Sequence, residues 1–247
     1  MKTRFLSWLV AIAAITPFAV ATPRAAADTI TLNYTGGGIT QSVFLNGSTS
    51  NVTGGPFNWN VTAVPPNVNL KVGNSITTWC VELAQGIASP TTYTLASVST
   101  LPNATSIMNL FGEGYKTGSP SNAAAFQLAL WELVYDTSAG SLTAGNFRYT
   151  GSSNSTRNAA QTLLSQALHN TANGINSFNR FLSGYTLYHL DSATKQNQLL
   201  LVPPGAKPPT QPPVNPVPAP PAALLALFGV LALGGRSTWF RKKAPTA

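Results

Sequence analysis

The sequence predicts an α+β domain, mainly an antiparallel β-sandwich or barrel with a helical insertion of two or three helices. Three observations carry this reading. Short runs alternate apolar and polar residues at the period of a strand. Gly- and Asn-rich turn signals separate the early runs. Two stretches in the middle of the chain place apolar residues at helical spacing.

The strands follow in order. Ile30-Thr31-Leu32-Asn33-Tyr34 alternates, as does Phe57 to Val64. Ile76 to Leu83, Thr92 to Val98, Tyr185 to Leu190 and Gln198 to Val202 read the same way. Gly36-Gly37-Gly38, Asn46-Gly47 and Gly54-Gly55-Pro56 are expected as the turns between the early strands. The first helix is expected to open with Ser119 as N-cap and Pro120 at its first position, and to run to about Asp136. A second begins at Ser155-Thr156, carries Ala160, Leu163, Leu164, Ala167 and Leu168 on one face, and ends before Asn173-Gly174. A weaker helical turn spans Ala104 to Phe111.

The two ends of the chain carry targeting patterns. Lys2 and Arg4 precede an apolar stretch from Phe5 to Val20, and small residues then offer signal peptidase sites at Ala19-Val20-Ala21 or Ala25-Ala26-Ala27. Residues 1–27 are therefore expected to be a signal peptide. Residues 28–202 form one domain of 175 residues, enough for a real core. Residues 203–221 contain ten prolines among 19 residues and make a semi-rigid linker. Residues 222–247 begin with 14 apolar residues, Ala222 to Gly235, and end in the basic cluster Arg241-Lys242-Lys243. Such a stretch is about 21 Å as a helix, short of the ~30 Å hydrocarbon core, so it makes a marginal transmembrane segment.

Val217-Pro218-Ala219-Pro220, the short apolar run and the basic end together resemble a PEP-CTERM sorting signal. Alanine stands at 219 where that motif has glutamate. The resemblance implies recognition by an exosortase, a cell-surface or extracellular-matrix destination, and at least transient membrane anchorage. An ordinary tail anchor is the alternative.

The formal charge of +8 belongs to these ends. From Asp28 to Pro221 seven basic residues face six acids, so no basic stripe is left to bind nucleic acid. No His/Cys/Asp/Glu cluster has metal-ligand spacing, and no cofactor is expected.

Cys80 is the only cysteine in the chain, so an exported domain has no internal disulfide partner for it. It lies in Thr78-Trp79-Cys80-Val81-Glu82-Leu83, on the strand face shared with Thr78 and Glu82 and opposite Trp79, Val81 and Leu83. In the first helix Ala123, Phe126, Leu130, Leu133 and Val134 make an apolar stripe, and Gln127 falls inside it. A buried carboxamide needs partners, since lacking them costs roughly 1–3 kcal/mol. A cysteine and a glutamine in a dry site can expel ammonia and join as a thioester, with Trp79, Phe126 and Trp131 as candidate shields.

Trp79-Cys80-Val81 and Gln127-Leu128-Ala129-Leu130-Trp131 resemble the strand and helix motifs of the bacterial thioester domain family, with leucine in place of isoleucine at 130. That resemblance implies that Cys80 and Gln127 are the bond-forming pair, with Trp131 and Glu132 as supporting residues. It implies a surface adhesin capturing an amine- or hydroxyl-bearing partner covalently, and not a turnover enzyme. Two alternatives remain. One is a passive surface or matrix protein with an inert buried cysteine. The other is a cysteine-dependent hydrolase or transferase, whose base would have to be His169 or His189. Glu82, Glu132 and Asp136 would be the carboxylates of a glycoside-cleaving site.

Overall fold

Seven strands and four helices build the described part of the protein, in the order β1 Thr29–Leu45, β2 Ser48–Ala63, β3 Ser75–Cys80, β4 Thr91–Ser97, α1 Ala104–Tyr115, α2 Ala123–Tyr135, β5 Phe147–Tyr149, α3 Asn154–Ala172, α4 Ser177–Phe181, β6 Thr186–Asp191 and β7 Gln198–Val202. The structure is a computed structural model that describes residues 27–115, 122–136 and 140–205. All but Gly205 of these belong to one compact unit ending at Pro204. The expected signal peptide, save Ala27, and all of the linker and tail beyond Gly205 lie outside the described residues. Among the described residues no helix is long and apolar enough to cross a membrane.

The fold is α+β, as the alternation and the helical patterns predict. Every strand pairing is antiparallel, in the order β2-β3-β7-β6-β4-β1-β5, and β1 also pairs with β2. That extra pairing closes six strands into a ring, with β5 added to the far half of β1. A closed ring leaves no long unpaired edge, which is how such a domain avoids edge-to-edge association. Trp59 from β2 and Tyr93 from β4, both fully buried, meet edge to face at 6.1 Å. Trp59 Nε1 donates to Thr78 Oγ1 at 2.7 Å, so the indole is satisfied inside the core.

The three expected turns divide. Asn46 and Gly47 do form the β1–β2 turn, with φ of +48° and +93°. Positive φ at both positions gives the twist that matches a hairpin. Gly36-Gly37-Gly38 and Gly54-Gly55-Pro56 are not turns. They lie inside β1 and β2, where the register shifts between Gly37/Phe57 and Ile39/Gly54. Local Gly and Pro content reads alike whether a strand reverses or merely bends.

β3 ends at Cys80 rather than at Leu83. Its alternation is also lost, because Thr78, Trp79, Cys80 and Val81 are all buried. The sheet is covered on both faces there. Helix α2 is capped by Asn122, whose side chain accepts from Ala125 N–H at 3.0 Å. The expected caps Ser119 and Pro120 lie outside the described residues. The helix is not a one-sided stripe: every residue from Ala125 to Leu133 is buried. It packs against α1, α3 and strands β1, β2, β3 and β5, the setting of a helix apolar all round. α3 begins one residue earlier than expected, with Ser153 accepting from Thr156 N–H at 3.2 Å, and ends before Asn173-Gly174 as expected. α1 extends to Tyr115, beyond the expected helical turn.

Candidate functional site

Strand β2 and strand β3 stop pairing at Phe57 and Thr78. Continued register would set Gly55 opposite Cys80, but the pairing does not extend that far, and the backbone groups of Cys80 that face β2 lose their strand partner. The side chain of Gln127, from the middle of α2, takes the vacant place. Cys80 N–H donates to Gln127 Oε1 at 3.1 Å, and Gln127 Nε2 donates to Cys80 C=O at 2.7 Å. One carboxamide thus satisfies both ends of one residue's backbone, across a separation of 47 positions. Both residues are fully buried.

The approach of α2 requires Gly54 and Gly55. A Cβ on Gly54 would come within 2.8 Å of Gln127 Cγ, and one on Gly55 within 2.6 Å of Thr78 C=O and 3.3 Å of Gln127 Oε1. The two glycines that read as a turn are a gap through which the helix reaches the strand.

The thiol donates to Glu82 C=O at 2.8 Å. Burial pushes the Cys80 thiol up to about 12. The Trp131 indole and the Glu82 backbone pull it back, and the Glu82 charge adds to the rise. The indole acts on the thiol in this way, yet Trp131 Nε1 has no partner in hydrogen-bonding geometry. Tyr135, two turns along α2 from Gln127, accepts from Leu83 N–H at 2.7 Å and fixes the chain that leaves β3. Val81 N–H is held by Asn197 C=O at 3.0 Å.

The other expected residues divide between those that pack near the pair and those that face elsewhere. Trp79 packs on Phe126 with ring centroids 4.4 Å apart, and Phe126 meets Phe111 edge to face at 5.1 Å. These rings, with the buried Trp131, wall the site with apolar surface. Glu132 does not face Cys80. Its Oε1 accepts from Gly140 N–H and Ser141 N–H, each at 3.2 Å. Burial first, and then the nearby Asp136, raise its carboxyl to about 7 against the pull of those two N–H groups. Asp136 accepts from Asn146 N–H and Phe147 N–H, and Glu82 Oε2 from Asn197 N–H. The three carboxylates each hold loop backbone rather than converging on one cleft.

Neither histidine neighbours the thiol. His189 pairs with Leu199, which pairs with Trp79, so register places it on the sheet face opposite Cys80. Its Nδ1 lies 3.0 Å from Thr100 Oγ1. His169 sits late in α3, in a surface depression with Glu113 and Asn170. Among the described residues no group of three metal-ligating side chains comes together.

Sequence reasoning missed Gly54, Gly55 and Tyr135. The double glycine was the one available signal, and its turn propensity concealed it. The chain matches no protein-family model, no curated protein and no solved structure.

Proposed function

We propose that this is an exported surface or extracellular-matrix protein whose domain joins Cys80 to Gln127 as an internal thioester and uses it to capture a nucleophile on a partner covalently. The observation that carries the reading is the grip of the Gln127 carboxamide on both backbone groups of Cys80 in a fully buried site. Cys80 Sγ attacks Gln127 Cδ, and the charge that develops on Oε1 meets the N–H of Cys80 itself. The thiol proton passes to Nε2, the C–N bond breaks, and ammonia leaves as the C–S bond forms. In capture, an incoming amine attacks the same carbon, the C–S bond breaks, and the sulfur regains a proton.

A depression of about 410 Å³ is lined by Thr53, Leu83, Gln85 and Gln196 among others, and not by Cys80 or Gln127 themselves. Thr53 adjoins Gly54 in sequence and Leu83 is the residue held by Tyr135, so in this reading a nucleophile that enters the depression still has to reach a buried bond. Export to the surface rests on residues 1–27 and 203–247, through signal peptidase and an exosortase-type enzyme.

A second reading draws on the same bonds. Gln127 substitutes for a missing strand residue, and a thiol held up to about 12 stays inert. A cysteine-dependent hydrolase or transferase is a third reading, and it needs a base other than the two histidines at their present positions. Intact mass separates them. The thioester protein weighs one ammonia less than its processed sequence, resists alkylation at Cys80, and adds methylamine at Gln127 with release of the thiol. Full sequence mass with a titratable Cys80 in gently purified, folded protein rejects the proposal.

A further inference from the structure

Trp131 stands one turn after Gln127 on α2 and is fully buried. Its six-membered ring edge lies against Gly54, the glycine that also faces Gln127 Cγ. Its Nε1–H is a buried donor with no acceptor. A native core rarely leaves such a group unpaired, and one that does is a reason to look for a state in which the acceptor arrives. The one titratable group on which this indole is seen to act is the Cys80 thiol. As a thiol it is a weak acceptor, already turned toward Glu82 C=O. As a thiolate it is a strong one.

We propose that the Trp131 indole N–H is the donor that holds the Cys80 sulfur while it carries negative charge, both as it attacks Gln127 and as it departs when a nucleophile opens the bond. The proposal deepens the thioester reading and rests on it. In formation the sulfur gives up its proton to Gln127 Nε2, and Trp131 Nε1–H takes the place of that proton as the hydrogen-bond partner. In opening, the sulfur leaves as a thiolate held by the same N–H until it is protonated. Cys80 N–H serves the oxygen and Trp131 Nε1–H serves the sulfur, so one carbonyl addition has a donor at each charged atom. The direction in which the indole moves the thiol agrees with this assignment.

The test removes one N–H and keeps the ring. In the full chain as exported, Trp131 is replaced by benzothienylalanine, in which ring sulfur stands for the N–H, and in parallel by Trp131→Phe. Each chain is produced unfolded, before any bond has formed, and is folded by dilution from denaturant, and bond formation is followed by loss of titratable thiol and of one ammonia. Opening by methylamine is timed on the same samples across a pH series. The benzothienylalanine chain should fold to the wild-type circular dichroism spectrum and form the bond about tenfold or more slowly, the rate equivalent of losing one hydrogen bond to a charged group. Its rate profile should move to higher pH. Wild-type rates and pH profile in that chain overturn the role of Trp131 and leave the thioester reading standing. A wild-type chain that never loses ammonia overturns both. If Trp131→Phe does not fold, the shape-conserving replacement alone decides.

Discussion

Gly54 lies flat against Trp131: a Cβ on that glycine would come to 2.5 Å from Cη2 of the indole and 2.8 Å from Cγ of Gln127. Helix α2 therefore rests on bare backbone of β2, and the helix is as close to the barrel as a missing side chain allows. Gly54→Ala should push α2 outward and cost about 1–3 kcal/mol, the usual penalty for overfilling a packed site. Denaturant unfolding measures it, and formation of the bond at Cys80 should slow in step. An unchanged midpoint with unchanged bond formation would show that α2 does not seat on Gly54.

The same glycine shows what was legible in the chain and what was not. Strands β3, β4, β6 and β7 are near their expected positions, because runs of five to eight strand-forming residues between turn-forming ones are a local signal. Cys80 and Gln127 were legible as a pair because each is unusual where it stands: one lone thiol, one amide inside an apolar helix. Pairings distant in sequence were not legible. β1 alone contacts β2, β4 and β5, and nothing local in Thr29–Leu45 states that its two halves serve different neighbours. β5 has three residues and α4 five, too short for either period to register. Tyr135 reads as one more apolar position, and only the fold shows its hydroxyl at Leu83 N–H.

Tyr135→Phe isolates that hydroxyl. The substitution keeps the ring, which stacks on Phe147 at 6.4 Å, and leaves Leu83 N–H without its acceptor. The expected loss is about 1 kcal/mol, more if the N–H stays dry. Amide exchange at Leu83 should quicken beyond what the global loss explains. Unaltered protection at Leu83 would mean that the other bonds of the segment after β3, at Val81 and Glu82, hold it without the Tyr135 hydroxyl.

Glu132 gives the fold a pH dependence whose sign can be fixed. Its carboxyl titrates at about 7 in the folded chain and near 4.5 when unfolded, through burial above all. Between those values the folded state keeps a proton that the unfolded chain has released. Its contribution to stability is therefore fully present below about 4.5 and is lost as pH rises through about 7. Glu132→Gln keeps an oxygen for Gly140 and Ser141 N–H and removes the titration. The difference in unfolding free energy between variant and wild type should grow with pH across that window, to at most about 3 kcal/mol. His189, whose pKa burial lowers from 6.5, has the opposite sign but is common to both chains and drops out. A difference that stays flat from acid to neutral pH would remove Glu132 as the titrating group.

The two ends call for fractionation rather than spectroscopy. The mature chain should start near Thr22 or Asp28, and neutralising Arg241, Lys242 and Lys243 should disturb retention or processing in a native host. Recovery of exported protein still carrying Met1 argues against the first expectation. Wild-type localisation and C-terminal length in the neutralised chain argue against the second.

The stability of two single variants separates a cross-link from a cap. Gln127→Ala frees Cys80 N–H and C=O inside a dry site, so it destabilises the fold whether or not the thioester exists. Cys80→Ala keeps both backbone bonds to Gln127 and removes only sulfur. If the sulfur is inert, that change costs little more than a small buried cavity, on the order of 1 kcal/mol. If it closes a bond across 47 positions, the unfolded chain gains the freedom of that loop, and the loss is about 4 kcal/mol by analogy with a disulfide. The thioester reading therefore expects Cys80→Ala to fall far below wild type in denaturant unfolding. It also expects wild-type protein opened by methylamine to unfold near Cys80→Ala rather than near its unopened form. A Cys80→Ala chain within about 1 kcal/mol of wild type would make Gln127 a strand cap and Cys80 a packing residue.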